Sequence, residues 1–200
     1  MKKEGKPRTM ILRSEQQRRA VTSPLRMELL GQFLDRKPLS VAQLAERMGR
    51  PATALHYHVG VLEKAGLLRR AGRQRSGRRP ETLYRPVADL FKMEHTKDDP
   101  EASAESALKT MSTAFRMAES DMRAALTNPA TRTAGPQRNA FGIRVHCRLS
   151  RKDLAELNRH LRAIEKTLGR VHKYHEPSPN DSFVSLTLAL MPLRNREANR

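Results

Sequence analysis

A single cysteine, Cys147, stands in 200 residues, so no disulfide can form within the chain and nothing points to an oxidising compartment. Tryptophan is absent and aromatic residues make up only 4%, which argues against an RNA or single-strand binder built on stacking platforms. Long apolar runs are missing as well; none approaches the ~18 residues of a membrane span. The opening Met1-Lys2-Lys3-Glu4-Gly5-Lys6 is charged, but no apolar stretch of signal-peptide length follows it. A cytoplasmic protein without membrane association is expected. Nor is there a glycine-rich nucleotide loop, an H-E-x-x-H motif or a nucleophile elbow, and the acidic residues are scattered rather than paired. The expectation is therefore no enzyme, no cofactor and no metal.

Acidic residues are also scarce. Against 21 Asp and Glu stand 39 Lys and Arg, a formal net charge of +18, which implies a polyanionic partner. Residues 1–90 hold 20 basic and 8 acidic side chains, net +12, leaving +6 for residues 91–200. The front half is the expected electrostatic footprint.

Punctuation and periodicity divide the chain. Residues 1–20 are basic and polar, with Met10-Ile11-Leu12 the only apolar cluster, and read as a basic N-terminal arm or a short accessory helix. Ser23-Pro24 opens a helix, an N-cap serine followed by proline at the first helical position. Its stripe of Leu25, Leu29, Leu30, Phe33 and Leu34 ends before Pro38. A second helix follows Ser40, burying Val41, Leu44, Ala45 and Met48, and Gly49 stops it. Pro51 opens a third, running to about Lys64, with Gly66 as its terminating glycine. Leu67-Leu68 and Thr82-Leu83-Tyr84 read as short strands around a turn at Ser76-Gly77. Helix, helix, helix and hairpin, over residues 21–90, is the winged-helix order.

Beyond lies a helix at 101–126. Its apolar residues Ala104, Leu108, Met111, Phe115, Ala118, Met122 and Ala125 repeat in steps of four and three, a coiled-coil-like seam. Leu108, Met111, Phe115 and Met122 are the candidate dimer contacts, although a core stripe inside one chain would look similar. Residues 127–140 form a linker loop with Pro129, Gly135 and Pro136. From 141 to 191 a small α/β unit is expected: a strand with Phe141, Ile143, Val145, Cys147 and Leu149 alternating, a helix capped by Ser150 and ended by Gly169, and a strand from Phe183 to Met191. Residues 192–200 are a tail. The fold class is α+β, mainly α with small β.

The chemistry concentrates between Val41 and Arg79. Ala45 is small where the second helix crosses the third, and Gly49 occupies a turn in which positive φ is cheap only for glycine. Leu55, His58, Val59 and Leu62 share one face of the third helix. Thr53, Tyr57, Gly60 and Lys64 lie opposite, with His56 on the flank, which suits base-edge contacts near the helix N-terminus. Glycine costs roughly 1 kcal/mol in a helix interior, so Gly60 marks either close approach to DNA or plain tolerance. Behind this helix six arginines, Arg69, Arg70, Arg73, Arg75, Arg78 and Arg79, crowd into eleven residues around Gly72 and Gly77. A flexible tip there would set guanidiniums on phosphates or in a minor groove. The candidate DNA-binding residues are Gln43, Arg50, Thr53, His56, Tyr57, Gly60, Arg73, Arg75, Arg78 and Arg79.

The stretch Ala54-Leu55-His56-Tyr57-His58-Val59-Gly60-Val61-Leu62-Glu63-Lys64-Ala65-Gly66-Leu67-Leu68 resembles the recognition helix of ArsR-type winged-helix transcription regulators. Ser23-Pro24-Leu25-Arg26 and Leu39-Ser40-Val41-Ala42-Gln43-Leu44-Ala45 are similar to their first two helices. The resemblance spans roughly Val21 to Pro86. It implies a dimeric repressor or activator reading an inverted repeat. Two departures stand out: Ser40-Val41-Ala42-Gln43 carries no metal-binding thiol pair, and Ala54 stands where many relatives have a hydroxyl residue.

Taken together, these readings predict a sequence-specific double-stranded DNA-binding regulator, a homodimer on an inverted-repeat operator, cytoplasmic and nucleoid-associated, with an unknown small-molecule effector possible. Two rivals are a metal-responsive regulator, using His146, Cys147 and the cluster His172-Lys173-Tyr174-His175-Glu176, and a general RNA-binding basic protein. Surface histidines and a core cysteine explain the first set without a metal.

Overall fold

Ser14 and Ser40 open helices in the same way. The Ser14 hydroxyl accepts the amide hydrogen of Gln17 at 3.2 Å, and the Gln17 side chain accepts from the amide of Ser14 at 3.3 Å. Ser40 and Gln43 repeat the exchange at 3.2 and 2.9 Å. Such reciprocal capping satisfies amides that a helix start otherwise leaves unpaired. The computed structural model describes residues 8–33, 37–76, 79–93, 100–174, 178 and 181–193. In chain order these form β1 (Thr9–Leu12), α1 (Glu15–Ala20), α2 (Pro24–Gly31), β2 (Leu39–Ser40), α3 (Val41–Met48), α4 (Ala52–Lys64), β3 (Leu68–Ser76), β4 (Arg79–Pro86), β5 (Leu90–Met93), α5 (Pro100–Leu126) and α6 (Arg151–Tyr174).

The N-terminal segment is not an arm from Thr9 onward. β1 pairs in parallel with β5, Thr9 opposite Leu90 and Leu12 opposite Met93. Leu12 and Ala20 are buried in the core. Met10-Ile11-Leu12 are thus a strand whose partner lies about eighty residues away, a pairing that needs a long crossover. Leu29, Phe33, Leu44, Leu55, Leu62 and Leu67 complete the core between the helices. Gly49 takes the left-handed conformation (φ +59°) between α3 and α4, and Gly66 does so (φ +70°) after α4. The amide of Leu67 then returns to the Leu62 carbonyl at 2.9 Å, which closes the helix end.

β4 lies between β2 and β3, antiparallel to both. The wing strands are longer than the sequence suggests and carry most of the arginine run on regular ladder. Gly72 (φ +125°) sits in a bulge between Arg70 and Arg73, not at a hairpin tip.

α5 docks on α1 and α2 through the side bearing Thr110 and Thr113, both buried. The linker after it is braced by Arg132 and Asn139: the Arg132 amide donates to Asn139 Oδ1 at 2.8 Å, and the Asn139 amide to the Arg132 carbonyl at 2.9 Å. Ser150 caps α6 as expected, accepting from the Asp153 amide at 3.2 Å, but the helix passes through Gly169 to Tyr174. Neither strand expected at 141–149 and 183–191 forms; both segments are without regular structure and join no sheet. Their alternation is real, but no paired edge lies beside them. No helix among the described residues is long and apolar enough to cross a membrane.

Candidate nucleic-acid interface

α4 buries Leu55, Val59 and Leu62 against the core. Thr53, Ala54, His56 and Tyr57 stay exposed, Tyr57 at 70%. The outward residues are therefore those expected from helical spacing. The Tyr57 ring meets that of His58 edge-on, centroids 5.3 Å apart. His58 is half-buried, and its Nδ1 has no hydrogen-bond partner among the described residues. Burial, and secondarily the Arg26 guanidinium, hold its pKa below the ordinary imidazole value. A β-carbon placed on Gly60 would meet nothing within 4 Å, so no protein neighbour requires glycine there.

The wing presents a row that sequence spacing conceals. Residues opposite one another in an antiparallel ladder share a face, as do alternate residues along a strand. On β4, Tyr84, Thr82 and Pro80 share one face, and their partners are Arg70, Arg73 and Arg75. Arg70 and Arg73 are three apart and would face opposite ways on a regular strand. The extra residue at the Gly72 bulge restores the parity. The same face begins inside the core with Leu68, opposite Pro86, and Arg70 bonds Glu63 near the end of α4 at 2.7 Å. The hydrogen bond and charge of Glu63 raise the Arg70 pKa further. Arg73 and Arg75, both exposed, thus extend the α4-facing side of the hairpin outward.

Other candidates are partly engaged within the protein. Gln43 uses Oε1 in the α3 cap, leaving its amide nitrogen for a ligand. Arg50, between α3 and α4, pairs with Glu28 of α2 at 3.3 Å. Arg78 lies outside the described residues; Arg79 pairs with Ser76 through the backbone, and its side chain is likewise outside them. Sequence reasoning missed Arg19 and Arg26, which line an open cleft with Glu15, Gln16, Val61 and Tyr57. Arg19 belongs to α1, for which the Ser14–Gln17 spacing was the signal, whereas Arg26 belongs to α2 and donates to the carbonyls of Arg19 and Ala20 at the end of α1. Of the metal candidates, His146 and Cys147 sit on an exposed segment, whereas the side chains of 172–176 lie outside the described residues. Among the described residues no group of three or more His, Cys, Asp or Glu is placed to hold an ion.

Along α5, Leu108 is 67% and Phe115 43% exposed, and Met111 and Met122 are half-buried. They occupy the side turned away from α1 and α2.

No curated protein matches the chain. Among solved structures, reduced HlyU from Vibrio cholerae N16961 is 22% identical, covering 45% of this chain and 77% of its own, with a TM-score of 0.29. Residues 21–71 match the family model described as a helix-turn-helix domain. The segment from α2 to the start of β3 is thus a helix-turn-helix domain, and β4 completes its wing.

Proposed function

We propose that the protein is a sequence-specific double-stranded DNA-binding transcription regulator of ArsR type, acting as a homodimer on an inverted repeat. One observation carries this reading: α4, which exposes Thr53, His56 and Tyr57, is tied by the Arg70–Glu63 pair to the wing strand on which the Gly72 bulge aligns the arginine row. The first row suits base edges in a major groove and the second suits phosphates flanking it. The net +12 of residues 1–90 lies on the same domain and favours a polyanion. The exposed α5 seam of Leu108 and Phe115 supports association through that helix. This reading assigns no catalytic step to the chain and places it on the nucleoid.

In vitro selection from random duplexes tests the reading. The expected product is a palindromic motif with half-sites about 10–10.5 base pairs apart, centre to centre, or a multiple of that. Recovery of no motif, with single-stranded RNA bound as tightly as duplex at equal salt, would overturn it.

A further inference from the structure

The C-terminal third exposes a series of apolar side chains, of which Phe141 carries the Arg138 guanidinium over its ring, 4.1 Å from the centroid. Phe141, Ile143, Val145, Phe183, Leu186 and Leu193 are each more than half exposed. At roughly 100 Å² per large apolar side chain, segments 141–149 and 183–193 together expose on the order of 1,000 Å². Monomeric soluble proteins rarely leave more than a few hundred Å² of apolar surface in one patch. Leu154, Leu168 and Val171 of α6 add to the display at 40–46% exposure. Both segments alternate apolar and polar residues, yet neither joins a sheet. Two strands and one helix make a marginal unit; four strands under two helices make a stable layer.

We propose that these segments are interface strands completed by a second copy of this chain, so that 141–149 of one copy pairs with 183–193 of the other, and reciprocally. This extends the homodimer proposed above to the C-terminal segments and rests on that part of the reading. Area favours it: two copies bring together about 2,000 Å², where obligate dimer interfaces begin. Charge selects the pairing. The polar row of the first segment is Arg144, His146 and Arg148, whereas that of the second includes Ser185 and Thr187. Pairing 141–149 with its own copy would crowd four arginines onto one face of the ladder, like charges that destabilise it. Pairing it with 183–193 sets them against neutral hydroxyls. The exposed surface is also continuous with the α5 seam, because the Met122 methyl group lies over Gly142, 3.6 Å from where a β-carbon would stand.

Cys147, the one cysteine and exposed in the single chain, reports on the arrangement. Leu186→Cys, Leu188→Cys and Leu190→Cys would be made separately in the full chain and mildly oxidised without DNA at micromolar protein. A disulfide between chains, giving a covalent dimer in at least one variant, is expected. Thiol alkylation of the unmodified protein should slow as its concentration rises into the dimer range, and Leu186→Glu with Leu188→Glu should restore fast alkylation. A disulfide within one chain overturns the proposal. So does a dimer, seen by sedimentation, whose Cys147 reacts as fast as a free thiol and that forms no covalent pair in any variant. Since no DNA is present, failure of the DNA-binding reading leaves these results standing. Selection of a duplex motif by a chain that fails the crosslinking test would overturn only the interface.

Discussion

The Thr113 hydroxyl donates a hydrogen bond to the main-chain carbonyl of Thr22 at 3.0 Å, from a side chain only 2% exposed. It joins the long helix α5 to the junction between α1 and α2, 91 residues earlier. Movement of α5 would reach the helix-turn-helix domain by this route.

Thr113→Val keeps the shape and removes the donor, leaving the part-buried Thr22 carbonyl without this partner. Such a loss costs about 1–3 kcal/mol. Chemical denaturation should show the destabilisation, and Thr113→Ser should restore most of it. Equal stability of the valine variant would show that water or another group satisfies Thr22.

At Gly60 two effects separate. With no atom within 4 Å of a methyl group placed there, Gly60→Ala should stabilise the free protein by about 1 kcal/mol through helix propensity. If α4 approaches DNA closely there, affinity for the selected duplex should fall tenfold or more while the melting temperature rises. Unchanged affinity would remove Gly60 from the interface.

The arginine row predicts a salt signature. Replacing Arg73 and Arg75 with Ala should weaken binding to all duplexes alike and lower the slope of log K against log salt by up to ~2, about 0.9 per phosphate contact. Arg70→Ala should change the slope less, because Glu63 already partners that guanidinium. An unaltered slope in the double variant would place the wing away from phosphates.

His58 gives a pH dependence. Burial first, and Arg26 second, lower its folded pKa below the ordinary 6.5. As pH falls, the unfolded chain therefore takes up this proton before the folded one. Stability is whole above the unfolded pKa and is lost as pH drops through it toward the folded value. Unfolding at pH 7.5 and pH 5.5 should show a loss in the unmodified protein that His58→Gln reduces. Parallel losses would assign the effect to other groups.

What the sequence made legible was local. Ser40, Gly49 and Gly66 mark their helix ends through rules that act within a few residues, and the outward face of α4 followed from 3.6-residue spacing. β1 was missed because its evidence is nonlocal: four residues have little strand signal until β5 lies beside them. Gly72 looked like a hairpin tip because glycine serves turns and bulges alike; only the register shows which. That register also places Arg70, Arg73 and Arg75 together, which linear spacing would have divided. The alternation at 141–149 was legible, but a strand needs a neighbour.

The β1–β5 pairing also bears on how the chain matures on the ribosome. Thr9 cannot meet Leu90 until about eighty further residues have been made, a wait of roughly 4–16 s at 5–20 residues per second. Through that interval Leu12, destined for full burial, has no strand to lie against. Stalled or truncated synthesis short of Met93 would leave an apolar N-terminal flap for chaperones to cover, and that cost falls on the earliest residues translated.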